Sequence, residues 1–149
     1  MTLKITNALR VISIIILVVV FFISYAGLPE QVLAFIDSKG NPAQYFSKNY
    51  FFYGTLTILI LSNTLMYVLA IMLGKSTNHI NQVIAIHMMT MSVVINIFFS
   101  VALTFIAILN GQENFDYASF APFIYLSQGL FVIWVLVFII SLIRSKKTV

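Results

Sequence analysis

The stretch "VIAIHMMTMSVVINIFFSVALTFIAIL", residues 83–109, runs for 27 residues without an Asp, Glu, Lys or Arg. About 18 uncharged, mostly apolar residues mark a candidate membrane-spanning helix. In hydrocarbon the backbone must satisfy its own hydrogen bonds, which a helix does within one segment. At about 1.5 Å per residue the helix is about 40 Å long. It must therefore tilt or emerge from the bilayer at one end.

Three further runs have the same character, residues 11–28, 50–73 and 120–143. Hydrophobic residues make up 61% of the chain and charged residues 8%, whereas soluble domains average about 25% charged. These charged residues are too few to cover the surface of a soluble fold. The sequence therefore predicts that the chain is embedded in a lipid bilayer. The 149 residues suit one domain. We therefore predict an all-α transmembrane domain over residues 1–149, with four spans.

The short connections between the runs predict an antiparallel, up-down four-helix bundle. The termini and the middle turn then lie on one side of the membrane. By the positive-inside rule that side is cytoplasmic (N-in/C-in), and residues 27–49 form a structured outer loop. The cytoplasmic side has six basic residues and no acid, whereas the outer side has two, Lys39 and Lys48, and all four acids. The six are Lys4, Arg10, Lys75, Arg144, Lys146 and Lys147.

The first run also has features of a cleaved signal peptide. Lys4 and Arg10 precede its apolar core, and "SYA" at 24–26 resembles a cleavage site. Cleavage would leave three spans in the same orientation. We expect an uncleaved anchor.

Catalytic signatures are missing from the sequence. There are no cysteines, and we find no zinc-type H-E-x-x-H, Walker, dinucleotide or G-x-S-x-G pattern. The basic residues sit at membrane boundaries and form no stripe for nucleic acid. We therefore expect no enzyme, cofactor, metal or nucleic-acid partner.

Polar residues interrupt the second and third runs at similar depth. Asn63 and Asn96 lie near the middle of neighbouring antiparallel spans, so a direct or water-bridged hydrogen bond is expected, because a buried unpaired amide costs several kcal/mol. Ser92, Asn96, Ser100 and Thr104 recur every four residues and share a helix face. This stripe predicts an inward-facing polar surface.

Two interpretations of these residues remain open. They are either interhelical glue, worth about 0.6 kcal/mol per bond, or the lining of a pocket open to the outer leaflet. His87, an ionisable group within a span, is either a functional candidate or a side chain that reaches the headgroups. The candidate intramembrane cluster is Asn63, Ser92, Asn96, Ser100, Gln128 and Trp134.

The outer segment "GLPEQVLAFIDSKGNPAQYFSK", residues 27–48, carries a spaced motif. Residues 30–36 are either a short helix or an extended piece. The segment resembles the domain of unknown function at the N-terminus of Sdp-type bacteriocin immunity proteins. Leu33 and Phe35 stand where that family has proline and histidine. The matching positions are Leu28, Pro29, Val32, Gly40, Pro42, Tyr45, Ser47 and Lys48.

The resemblance implies a multi-pass protein of the bacterial cytoplasmic (inner) membrane. In the immunity branch of that family, such proteins protect the cell from a secreted toxin. We therefore expect a non-enzymatic protein whose outer loop recognises, or shields against, an extracytoplasmic peptide, lipid or protein. The alternative is an accessory or structural subunit of a larger membrane complex. A weaker alternative is a small permease with the polar stripe as its path.

Overall fold

The structure is a computed structural model that describes residues 3–37, 41–111 and 117–146. Four helices in it are long and apolar enough to cross a membrane, as the sequence predicts. Gly40 of the motif, together with Lys39 and Lys147, lies outside the described residues. In chain order the elements are α1 Leu3–Ala26, β1 Gln31–Ile36, β2 Pro42–Ser47, α2 Lys48–Gly74, α3 His79–Gly111 and α4 Tyr117–Lys146.

Three of the helices extend beyond their apolar runs at both ends, but α1 stops at Ala26, short of the predicted end at residue 28. The last turn of α1 is tightened by backbone bonds from Gly27 to Ser24 and from Leu28 to Tyr25, both 3.2 Å long. Pro29 follows and has no N–H with which to continue the helix. The chain therefore leaves α1 at this point and enters the β1 strand.

Helix α3 is the centre of the packing, since it packs closely against α1, α2 and α4. An apolar core forms where Leu17 and Phe21 of α1 meet Leu59 of α2 and Leu103 of α3. Small residues allow close approach between α2 and α3, where a Cβ added to Gly74 would lie 3.7 Å from that of Ala85. Helix α4 is the least buried of the four.

Strands β1 and β2 form an antiparallel hairpin, which decides the conformation of residues 31–36 in favour of the extended alternative. The pairing is irregular between Leu33 and Phe35 and again before Ile36. At the far end the Asp37 N–H donates to the Asn41 carbonyl (2.9 Å), and the Asn41 N–H donates to the Asp37 carboxylate (2.8 Å). These reciprocal bonds fix the separation of the strands where the chain turns back.

Candidate functional site

The predicted bond between the two asparagines is present and is direct. The Asn63 Nδ2 donates to the Asn96 Oδ1 at 2.8 Å. The Asn96 Nδ2 in turn donates to the Ser13 hydroxyl at 2.9 Å, and that hydroxyl donates to the Arg10 carbonyl at 2.8 Å. We call Asn63, Asn96 and Ser13 the midplane network. It ties α2, α3 and α1 together at one level, and Ser13 is the member that the sequence analysis missed.

One acceptor in the midplane network has no partner within the described residues, the buried Oδ1 of Asn63. The Nδ2 of Asn63 also donates to the Leu59 carbonyl of its own helix, at 3.0 Å. Asn96 is buried and uses both of its side-chain polar atoms. The network is thus an interhelical cross-link in which each polar atom of the central amide makes a bond.

The other members of the predicted cluster do not gather around Asn96. Ser100 donates to the Asn96 carbonyl one turn earlier in the same helix, at 2.8 Å, so it links no helices. Ser92 is 0% exposed and its hydroxyl has no partner in the part of the chain that the structure describes. Gln128 is exposed on α4. Trp134 donates to the Thr90 hydroxyl at 3.0 Å, a separate link between α4 and α3.

His87 packs against α4 instead of extending toward the headgroups. Its Nδ1 lies 2.9 Å from the Val83 carbonyl. A carbonyl only accepts, so Nδ1 carries the proton and Nε2 of the neutral ring is an acceptor. The ring lies 5.1 Å from that of Phe138 and 6.4 Å from that of Trp134. These contacts make His87 part of a wall between α3 and α4.

A second asparagine of α3, Asn110, holds the hairpin against the helices. Its Oδ1 accepts the Leu33 N–H at 2.8 Å, and its Nδ2 donates to the Leu33 carbonyl at 2.9 Å. The same Nδ2 donates to the Ile106 carbonyl at 2.8 Å, which fixes the orientation of the amide. A side-chain amide thus supplies the two bonds that a neighbouring strand would give Leu33 of β1.

The base of the hairpin is held by the first residue of α2. The Lys48 ammonium donates to the Leu28 carbonyl at 2.7 Å and lies 4.9 Å from the centre of the Tyr25 ring. The Lys48 backbone N–H donates to the Glu30 carbonyl at 2.9 Å. Ser47 caps α2, because its hydroxyl accepts the Tyr50 N–H at 3.4 Å. We call Asn110 and Lys48 the hairpin anchors.

The motif residues of the hairpin therefore divide into two groups. Leu28 and Val32 are buried, and Ser47 and Lys48 make the bonds described above. The rest of the described motif is exposed: Pro29, Pro42 and Tyr45. The Leu33 N–H is used by Asn110, whereas a proline at this position would have no N–H to donate.

The outer edge of β2 is the exposed side of the hairpin. Leu33 pairs with Tyr45 and gives both of its backbone groups to Asn110, on the side away from β2. In an antiparallel pair of this kind both residues direct their N–H and C=O away from each other. The Tyr45 backbone therefore faces the outer edge of β2, with which no strand of the described residues pairs, and the residue is 54% exposed.

The described residues show no cluster of metal-ligand side chains, and the comparisons show no family for the chain. No group of three or more His, Cys, Asp and Glu residues lies close enough to hold a metal within residues 3–37, 41–111 and 117–146. No family model matches the chain, and comparisons with curated proteins and with solved structures found no match. The resemblance to the immunity-protein domain therefore stays a prediction.

Proposed function

We propose that this chain is a non-enzymatic bacterial inner-membrane protein whose hairpin recognises an extracytoplasmic peptide segment. One observation carries the proposal: the hairpin is held on the helices by Asn110 and Lys48, while no strand of the described residues pairs with the outer edge of β2 at Tyr45. A peptide would add to this edge as a further strand, bonded by the main chain. The anchors would keep the edge preorganised and so reduce the ordering cost of binding.

The proposal includes an up-down bundle with both termini in the cytoplasm. Residue pairs support alternating helix directions, since Asn63 meets Asn96 across α2 and α3, and Thr90 meets Trp134 across α3 and α4. Leu3 packs beside Gly74, which supports a common end for the N-terminus and the middle turn. The positive-inside rule then directs the hairpin outward.

The resemblance to the immunity-protein domain gives the proposal a biological form. An immunity-like protein meets a secreted toxin outside the cytoplasmic membrane, where the proposal places the hairpin. The matching residues Leu28, Val32, Ser47 and Lys48 are those that fix the hairpin. Phe35, which replaces the family's histidine, is exposed. We therefore propose that the shared feature is the hairpin base held by Ser47 and Lys48, with ligand choice set by the exposed side chains of the hairpin.

Site-specific photo-crosslinking in cells tests this proposal. A photoreactive phenylalanine analogue replaces Tyr45, and the matched control carries it at Tyr53, an exposed aromatic position on α2. We expect a discrete peptide or protein adduct from position 45, little from position 53, and loss of the adduct in Asn110→Ala. Equal adducts at both positions, or an adduct that survives Asn110→Ala, would contradict recognition by the hairpin.

The accessory-subunit alternative is favoured by a different observation, the sparse packing of α4. Among the described elements, α4 packs closely only against α3, and it is the least buried of the four helices. In a larger complex its exposed face would be covered by another subunit. The same crosslinker at Leu136, which is 55% exposed, would then give a discrete protein adduct, whereas lipid around α4 would give none. The permease alternative gains no support, because both polar atoms of the Asn96 side chain are bonded to other helices within the midplane network.

A further inference from the structure

A groove of about 620 Å³ lies between α3 and α4, away from the hairpin and from the midplane network. Along α3 it extends from His79 to Val94. At about 1.5 Å per residue this is about 22 Å. A bilayer is about 40–45 Å thick with its headgroups, so one leaflet is about 20–22 Å. The groove therefore matches the depth of a single leaflet.

The polarity of the groove changes along its length. Its inner part is lined by aliphatic side chains such as Val94, Leu130 and Ile133, near the middle of the spans. Its other end is lined by His79, Arg144, Ser141 and Ser145. A surface that passes from hydrocarbon to basic and hydroxyl groups over one leaflet has the polarity profile of a phospholipid.

The wall of the groove is fixed by bonds inside the protein. The Trp134 indole donates to the Thr90 hydroxyl at 3.0 Å, and that hydroxyl donates to the His87 carbonyl at 3.0 Å. The Trp134 and Phe138 rings stack with centroids 5.2 Å apart. These contacts hold the aromatic side chains in place, so the groove is formed before a ligand enters.

A buried hydroxyl at the polar end has no partner among the described residues. Ser145 is 3% exposed, lines the groove and makes no hydrogen bond there. Of the other buried helix serines, Ser127 donates to the Ile124 carbonyl at 2.8 Å, whereas Ser92, which does not line the groove, also has no partner among the described residues. An unpaired buried hydroxyl costs about 1–3 kcal/mol. A phosphate or ester oxygen of a ligand would accept its proton.

The charge around the polar end selects an anionic headgroup. Arg144 lines this end and Lys146 follows it in the same helical turn. The acidic residues that the structure describes, Glu30 and Asp37, belong to segment 30–37 and do not line the groove. We propose that the groove binds one anionic phospholipid, with an acyl chain along Val94 and Ile133 and the phosphate at Arg144 and Ser145. This site is independent of the hairpin and of the proposed function.

Native mass spectrometry of the purified full chain tests the headgroup. The protein is incubated in detergent with equimolar phosphatidylglycerol and phosphatidylcholine of identical acyl chains. We expect one phosphatidylglycerol to be retained preferentially. Arg144→Gln lowers the retained ratio about fivefold, the usual effect of one basic residue at an anionic lipid. Lys4→Gln, which removes a charge from exposed Lys4 outside the groove, leaves it unchanged. Equal retention of both lipids, or equal effects of the two variants, would overturn the proposal.

A second pair of variants tests the acyl chain. Val137→Trp fills the groove, whereas Val135→Trp adds the same bulk on an exposed position outside it. We expect the first variant to lose the retained lipid and the second to keep it, with equal helical circular dichroism. Retention by Val137→Trp would overturn the proposal. Displacement of the lipid by equimolar glycerol phosphate would also overturn it, as would a lipid-free dimer, because the occupant would then be an anion or a second copy.

Discussion

Two asparagines about four turns apart on α3 bond to different kinds of partner through the same amide group. Asn96 lies in the midplane network and bonds to side chains of α1 and α2. Asn110 bonds to the backbone of β1, at both the N–H and the carbonyl of Leu33. The helices joined by Asn96 already satisfy their own backbones, whereas β1 lacks a neighbour on that side without Asn110. Asn96 therefore strengthens packing that the helices already have, whereas Asn110 supplies bonds without which the β1 backbone would have no partner on that side.

The largest effect is expected from removing the Asn110 side-chain amide. Asn110→Ala leaves two backbone groups of a largely buried residue, Leu33, without partners, at a cost of about 1–3 kcal/mol each. We expect hairpin docking to weaken by about 2–3 kcal/mol. Amide exchange in β1 should accelerate by about a hundredfold. Hydrogen exchange with mass spectrometry in nanodiscs measures this change.

The matched control for that experiment is Asn49→Ala, which removes the same group from an exposed position in the first turn of α2. It should leave β1 exchange unchanged. Unaltered β1 exchange in Asn110→Ala would remove the distinction between the two asparagines. A uniform acceleration across all four helices would show that Asn110 supports the whole fold instead of the hairpin.

An intermediate effect is expected in the midplane network. Asn96→Ala removes bonds to Asn63 and Ser13 and should lower the free energy of unfolding by about 1–2 kcal/mol. A double-mutant cycle with Asn63→Ala should give a coupling of about 0.6 kcal/mol, the mean for such bonds in membranes. Reversible unfolding in mixed detergent micelles measures both quantities. Additive effects of the two substitutions would mean that the bond contributes nothing.

The smallest effect on stability is expected at Ser92, one turn before Asn96, and there the substitution should not destabilise the protein. Ser92→Ala removes a buried hydroxyl that has no partner in the described structure, so stability should stay equal or rise by up to about 1 kcal/mol. Ser127→Ala, which removes a hydroxyl bonded within its own helix, is the control and should be neutral to slightly destabilising. A loss above about 1 kcal/mol in Ser92→Ala would assign Ser92 to the network after all.

The helices and the central asparagine pair could be predicted because two local rules determine them. Runs without charge must become helices in lipid. The short turn between the second and third runs predicts that Asn63 and Asn96 lie at similar positions on neighbouring helices, and the bond between them is present. Ser13 could not be found in this way, because the register of α1 against α3 is set by side-chain packing and no short connection fixes it.

The hairpin and its anchor were harder to predict for physical reasons. Val32, Leu33, Phe35 and Ile36 do not alternate with polar residues, and the irregular pairing near Leu33 and Phe35 accounts for the broken period. Asn110 ends an apolar run, where asparagine usually marks a loop. Its spacing to Leu33 is long-range, so no sequence pattern connects the two residues. The sequence predicts His87 within the third helix, as the structure shows, but its contact with α4 depends on a rotamer.

Strand β2 ends at Ser47 and helix α2 begins at Lys48, with no residue between them. The hairpin therefore continues into α2 without a linker. A displacement of the hairpin would act directly on the first turn of α2. Because Asn63 lies farther along the same helix, such a displacement would have a direct route to the midplane network.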